Sequence, residues 1–303
     1  MTFCKQALAA LALAACVHQS TPGSQGVANV WASTQVDITK LPLGDHLRSV
    51  STAQRGHLFV CASSAPPGPP VGASVPGPWI DLANQTWDLT KKLSVQGSVT
   101  WPAAAYGESV SGSVRTLVTN GLPVKTVTGR FPITPSDPVY RYDTNPNSIA
   151  QVALRYALPV SPVSAALGCV PMGPIGLLRN GVPLFAPVDE EGRDAVAWET
   201  QDSCQGHPQQ QGEYHYHDVS ACLRNAAQGT STVVGWAADG FPIVVERDAS
   251  GALPTNADLD ACHGRDTPYV LDGTVTSGYH YSATLEFPYV LGCFRATPVT
   301  ASK

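Results

Sequence analysis

The residues best equipped for chemistry lie between positions 199 and 282. Cys204-Gln205-Gly206-His207 is followed closely by Tyr214-His215-Tyr216-His217. Residues i and i+2 of a strand share a face, so His215 and His217 project side by side, with Tyr214 and Tyr216 on the other face. Two imidazoles on one face can bind one metal, and His207, from a nearby loop, completes a set of three. Three histidines suit zinc, copper or iron, with a position left open for water or substrate. That arrangement supports either metal binding or metal-assisted hydrolysis. Glu199, Asp202, Glu213 and Asp218 are close in sequence and could accept hydrogen bonds from the ligands or act as a general base. A hydrolase of unknown substrate would use Glu213 or Asp202 in that role, with tyrosine hydroxyls as oxyanion donors. The same pattern has a structural explanation: a Tyr/His strand whose imidazoles hydrogen-bond to buried backbone or carboxylates, within a structural or surface-binding module.

These residues sit inside an internal repeat. Gly176 to Gly192 (GLLRNGVPLFAPVDEEG) and Gly235 to Gly251 (GWAADGFPIVVERDASG) share glycines, an Asn/Asp-Gly pair, a proline and an aspartate in the same order. Cys204-Gln205-Gly206-His207 answers Cys262-His263-Gly264-Arg265. Tyr214 to His217 answers Tyr279-His280-Tyr281-Ser282, and Cys222 answers Cys293. Asn180-Gly181 and Asp239-Gly240 are turn dipeptides, because glycine accepts positive φ. Pro183 and Pro242 suit edge positions. The repeat predicts two related β-units packed face to face about a pseudo-twofold axis.

The elements that must position these groups are mainly strands. With 27 Gly and 26 Pro in 303 residues, a helical bundle is excluded. Hydrophobic residues make up 43 % and there are six Trp, enough for a real core. Charged residues are only 14 % and the net charge is -5, with no basic footprint for nucleic acid. Short alternations between Trp79 and Val127 read as strands, and a short helix is expected near Asp258-Leu259-Asp260. No nucleophile elbow, P-loop, dinucleotide fingerprint or EF-hand loop occurs. The fold class expected is therefore a mainly β, loop-rich domain built from a duplicated β-unit and stapled by disulfides.

The N-terminus reads as an export signal over residues 1–16. Lys5 precedes an apolar run, Ala7 to Ala15, too short to span a bilayer. Leu13-Ala14-Ala15-Cys16 resembles a bacterial lipobox, which implies lipidation of Cys16. Val17 in the next position implies sorting to the outer membrane, facing the periplasm or the cell surface. The other reading is an ordinary cleaved signal peptide. Under the lipoprotein reading the membrane is contacted only through the lipid anchor. Six cysteines remain after processing and in an oxidising compartment read as up to three disulfides, with fifteen possible connectivities. Matched cysteines in the repeat favour Cys204–Cys222 and Cys262–Cys293, leaving Cys61–Cys169. Residues 17–50 are Ser/Thr/Gln/Gly-rich and read as a tether. Residues 51–115 read as a β-rich extension and 116–297 as the main domain, with Ala62 to Pro78 irregular.

From about Leu117 to Ala296 the chain resembles the YHYH-domain family of mostly exported bacterial proteins. The resemblance rests on NGLPVKTVTGRFP from Asn120, NPNSI from Asn145, NGVPLFAPVDEEGRDA from Asn180, DSCQGHPQQQGEYHYH from Asp202, DGFPI from Asp239, LDACHG from Leu259 and GYHYSATLEFPYVLGCFR from Gly278. It implies a metal ion as partner, copper on grounds of compartment or zinc. His207, His215 and His217 match the family's CxGH and YHYH positions, and Cys204, Cys222, Cys262 and Cys293 match its cysteines. His263 and His280 also match and are implied as extra ligands. Three positions depart from the family pattern: Ser282 replaces the last His of a second YHYH, Arg265 replaces the last His of CHGH, and Val124 or Lys125 stands where a His commonly follows NG-φ-P (φ an apolar residue). These departures centre the expected metal on the first repeat.

Overall fold

Two hairpins, each closed by one of the turn dipeptides, form the middle of the main sheet. The computed structural model describes residues 27–32, 35–61 and 75–303. The expected export signal with Cys16, and residues 62–74 of the Pro/Gly/Ser stretch, lie outside them. We label the longer strands β1 (Tyr106–Ser111), β2 (Val114–Thr119), β3 (Leu154–Pro159), β4 (Pro174–Leu178), β5 (Pro183–Phe185), β6 (Gly206–Pro208), β7 (Tyr214–Tyr216), β8 (Ser231–Ala237), β9 (Pro242–Glu246), β10 (Gly264–Leu271) and β11 (Thr274–Ser282). Short helices α1 (Ala195–Trp198) and α2 (Ala221–Ala226) interrupt them, and the helix expected near residue 258 is a single 3-10 turn, Asn256–Asp258. Among the described residues no helix is long and apolar enough to cross a membrane.

The β4–β5 and β8–β9 hairpins turn at Gly181 and Gly240, with φ of 86° and 92°. Their turns repeat the same two bonds: Gly181 N–H to Leu178 O and Leu178 N–H to Val182 O, then Gly240 N–H to Ala237 O and Ala237 N–H to Phe241 O. Eight strands form one sheet in the order β6-β7-β5-β4-β8-β9-β11-β10. The two repeated stretches therefore lie side by side in one sheet rather than face to face. The reason is the β4–β8 ladder, which pairs Gly176 with Ala237, Leu177 with Trp236 and Leu178 with Gly235. A Cβ on Gly176 would come within 2.6 Å of Trp236 O, so only glycine permits that approach. Pro183 and Pro242 do not mark edges. Each is the first residue of an interior strand, a position that tolerates a missing N–H. β10 also pairs with β8 through Val270 and Thr232, which closes the second half of the sheet on itself.

A separate antiparallel sheet, β1-β2-β3, packs its inner face on the main sheet. Leu117, Leu154, Tyr156 and Leu158 meet Leu177, Val233, Trp236 and Val244. Each buried aliphatic side chain there contributes roughly 1.5–3 kcal/mol. β2 spans residue 115, so the expected division at 115/116 falls within a strand. The described residues of the expected tether, 27–32 and 35–50, are also part of the body. Leu41 and Leu43 alternate into the main core and Leu58 joins them. Asn29 donates to Thr230 O, Ser231 Oγ and Arg247 O. Polar composition hid these few apolar anchors. The disulfides are Cys61–Cys169, Cys204–Cys222 and Cys262–Cys293.

One buried histidine gives this fold a pH dependence of known sign. His263 lies in the core with Nε2 3.0 Å from Thr284 Oγ1, and burial pushes its pKa down to about 3. The unfolded value is 6.5, so its contribution is complete above 6.5 and is lost as pH falls toward 3. We expect His263→Gln, measured by urea unfolding at pH 4, 5, 6 and 7, to flatten the acid limb by about 1.4 kcal/mol per pH unit. An unchanged slope would rule out this group as the source.

Candidate metal centre

The β6–β7 pair is built so that three imidazoles face one point. Its register sets Gly206 opposite Tyr216, His207 opposite His215 and Pro208 opposite Tyr214. His207 therefore stands on a strand directly across from His215, rather than on a loop, and His217 follows two residues beyond. Tyr214 and Tyr216 occupy the core face and are fully buried. A Cβ on Gly206 would lie 2.3 Å from the Tyr214 ring, so glycine lets the tyrosine cross beneath β6. The Asp202 carboxylate ties the pair together, accepting from Cys204 N, Gly206 N, Gly129 N and the Tyr214 hydroxyl. The Cys204–Cys222 disulfide clamps the same turn to α2.

His207 Nε2 and His215 Nε2 lie 3.2 and 3.1 Å from His217 Nε2. The three side chains are buried, and their ligand atoms all lie within 4.8 Å of one another. Metal–nitrogen bonds of about 2.0–2.1 Å at tetrahedral angles separate donors by roughly 3.3–3.4 Å, so the spacing fits one ion. The tautomers fit as well. His217 Nδ1 is 2.6 Å from Ala186 O and His215 Nδ1 is 3.1 Å from Glu213 O. A carbonyl only accepts, so both Nδ1 atoms carry hydrogen, and in the neutral rings that a metal binds the Nε2 lone pairs face inward. Two lone pairs 3.1 Å apart repel unless a cation or a proton lies between them. The Phe185 ring stacks on His215 at 4.0 Å and fixes its plane.

A carboxylate flanks two of these three histidines. Glu199 Oε2 is 3.0 Å from His217 Nε2 and 3.3 Å from His207 Nε2, yet it is buried with no aligned hydrogen-bond donor. Burial opposes its ionisation, but His207 and His217 more than offset that and hold the carboxyl below its usual range. Burial lowers the basicity of His207 and, more strongly, of His215. Burial also opposes charge on His217, but Glu199 outweighs it and raises that histidine.

The other residues expected at the site lie elsewhere. Asp202 is the hydrogen-bond hub under β6 and β7. Glu213 Oε2 accepts from Gln209, and its backbone carbonyl, not its carboxylate, meets His215. Asp218 pairs with Arg224. His280 Nε2 is 3.2 Å from Glu246 Oε1 and His263 faces Thr284, so neither joins the three-histidine group. The reason is the sheet order, which sends β10 and β11 to the edge opposite β6 and β7.

The residues that position Glu199 were not legible as such. Asp194 caps α1 by accepting from Ala197 N, and the helix ends at Glu199, whose N–H bonds Ala195 O. The N-terminal region braces this turn. Trp79 Nε1 donates to Ala197 O, Lys92 Nζ to Val196 O, and Gly44 N to Asp194 Oδ2. Sequence distance alone ranked Glu199 with three other acidic neighbours. Its distances to His207 and His217 single it out, on a turn braced by Gly44, Trp79 and Lys92.

A search of curated proteins and a search of solved structures each find no match to the chain. Residues 155–255, which hold all three histidines and Glu199, match the family model described as YHYH protein.

Proposed function

We propose that this is an exported lipoprotein that binds one transition-metal ion, copper or zinc, through His207, His215 and His217. The observation that carries the reading is the convergence of three buried Nε2 atoms, two of them with Nδ1 already committed to carbonyl oxygens. When bound, the metal supplies a Lewis-acidic or redox-active centre. The chain's own residues orient the rings and exclude water from them. Binding is favoured over hydrolysis because Glu213 and Asp202, the acidic groups first suited to a base, are committed away from the histidines. Three disulfides support an oxidising compartment.

The test is elemental analysis of residues 17–303, secreted into an oxidising compartment and purified without a histidine tag, beside His215→Ala/His217→Ala. The expected result is about one equivalent of metal in the parent protein and none in the variant, with both folded by circular dichroism. No metal in the parent, even after reconstitution with copper or zinc, would sink the proposal.

A further inference from the structure

The second half of the main sheet shows what the same frame does with no cluster of imidazoles. Arg265 stands opposite His280 across β10 and β11, as His207 stands opposite His215 across β6 and β7. Gly264 faces Tyr281 as Gly206 faces Tyr216. Ser282 follows His280 by two residues, as His217 follows His215. All three side chains converge on one carboxylate, that of Glu246. Arg265 Nε and Nη2 donate to its Oε1 at 3.0 and 2.7 Å, Ser282 Oγ donates to its Oε2 at 2.5 Å, and His280 Nε2 is 3.2 Å from its Oε1. The guanidinium balances the buried negative charge there.

In the first half a carboxylate is again present, but its ion pairs are with imidazoles and not with a guanidinium: Glu199 Oε2 stands 3.0 Å from His217 Nε2 and 3.3 Å from His207 Nε2. Lys92, although close enough to be felt electrostatically, directs its hydrogen bonds to Val196 O and Gln201 Oε1 instead. Glu199 Oε2 approaches His217 Nε2 as closely as the imidazoles approach one another, and no donor is aligned on it. An acceptor that bonded to an imidazole as a supporting group would sit at Nδ1, behind the ring. Glu199 sits on the Nε2 side, where the lone pairs meet.

We propose that Glu199 is a fourth protein ligand, so that the centre is a buried set of three nitrogens and one oxygen for a divalent cation. This rests on the metal-binding reading above and adds a ligand from a different element, the end of α1. A hard carboxylate oxygen in place of a soft sulfur sets the site against monovalent copper and for a divalent ion such as zinc. Four protein donors also leave the centre closed in the manner of sites that hold a metal rather than turn over substrate.

The test compares the full secreted protein with Glu199→Gln, which keeps the shape of the side chain and removes its charge. Zinc affinity is measured by competition with a chelator, and cobalt(II) is used as a spectroscopic probe. The expected result is a loss of zinc affinity of at least about tenfold, with shifted visible bands of the cobalt form. Equal zinc affinity and identical cobalt bands would overturn the role of Glu199 and leave the histidine site standing. Absence of zinc and cobalt binding in the parent protein would instead remove the metal reading and this inference with it. X-ray absorption of the zinc-loaded parent needs no variant to fold. Three imidazoles and one carboxylate would support the assignment, and three imidazoles with only water besides would overturn it.

Discussion

Replacing Glu246 with alanine should destabilise the protein by about 3–5 kcal/mol, the cost of stranding a buried charge. Glu246 is fully buried. Burial opposes its ionisation, but His280 and Arg265 more than offset this and hold the carboxyl below its usual range. Without it, the Arg265 guanidinium keeps one acceptor, Asn29 Oδ1, and Ser282 loses its partner. The N-terminal segment should loosen in the same variant, because Arg265 both bonds Asn29 and stacks on Trp31 at 4.6 Å. Urea unfolding gives the energy, and hydrogen exchange near residues 27–32 gives the local effect. Arg265→Met and the double variant complete a cycle. If the pair is coupled, the double variant loses at least about 1 kcal/mol less than the sum of the singles. A loss below about 1 kcal/mol in Glu246→Ala, or strict additivity, would contradict this account of the second half.

Much of this arrangement could be read from the repeat, and the reasons for what could not are physical. Local signals were sufficient for the hairpin turns, since Asn180-Gly181 and Asp239-Gly240 need positive φ at the glycine. The strict Tyr/His alternation likewise separated His215 and His217 from Tyr214 and Tyr216. The strand order is a different matter. Whether two similar units stack or share an edge depends on non-local pairing. Here it turns on close approach at Gly176 and Gly235, which no periodicity encodes. The same holds for Glu199 and for the N-terminal residues that brace the turn before it. Leu41, from the stretch read as a tether, and Trp79 and Lys92, from the stretch read as a β-rich extension, reach α1 or the core across more than a hundred positions. The departures Arg265 and Ser282 were visible as losses of histidine. That they gain a carboxylate from β9 was not, because Glu246 aligns with Pro187 in the first copy, which offers no acidic group to compare.

Asp202→Ala should be more damaging than its place beside the histidines would suggest, and for a reason unrelated to catalysis. The carboxylate accepts four hydrogen bonds in the core, from Gly129 N, Cys204 N, Gly206 N and the Tyr214 hydroxyl, at 2.7–3.2 Å. A buried donor left unsatisfied costs about 1–3 kcal/mol, so four of them imply a loss on the order of 4 kcal/mol or more, a size reserved for a few named mechanisms. Asp260 offers an internal comparison. It accepts from Cys262 N, Gly264 N and the Tyr279 hydroxyl in the same pattern, but it is only partly buried, so water can replace it. Asp260→Ala should therefore cost clearly less, within about 1–2 kcal/mol. Denaturant unfolding of both variants, with metal content measured on the folded fraction, separates the roles. If Asp202 were a base for hydrolysis, its alanine variant would keep its stability. If it is the hub that aligns β6 on β7, stability falls first and the alignment of His207 with His215 goes with it.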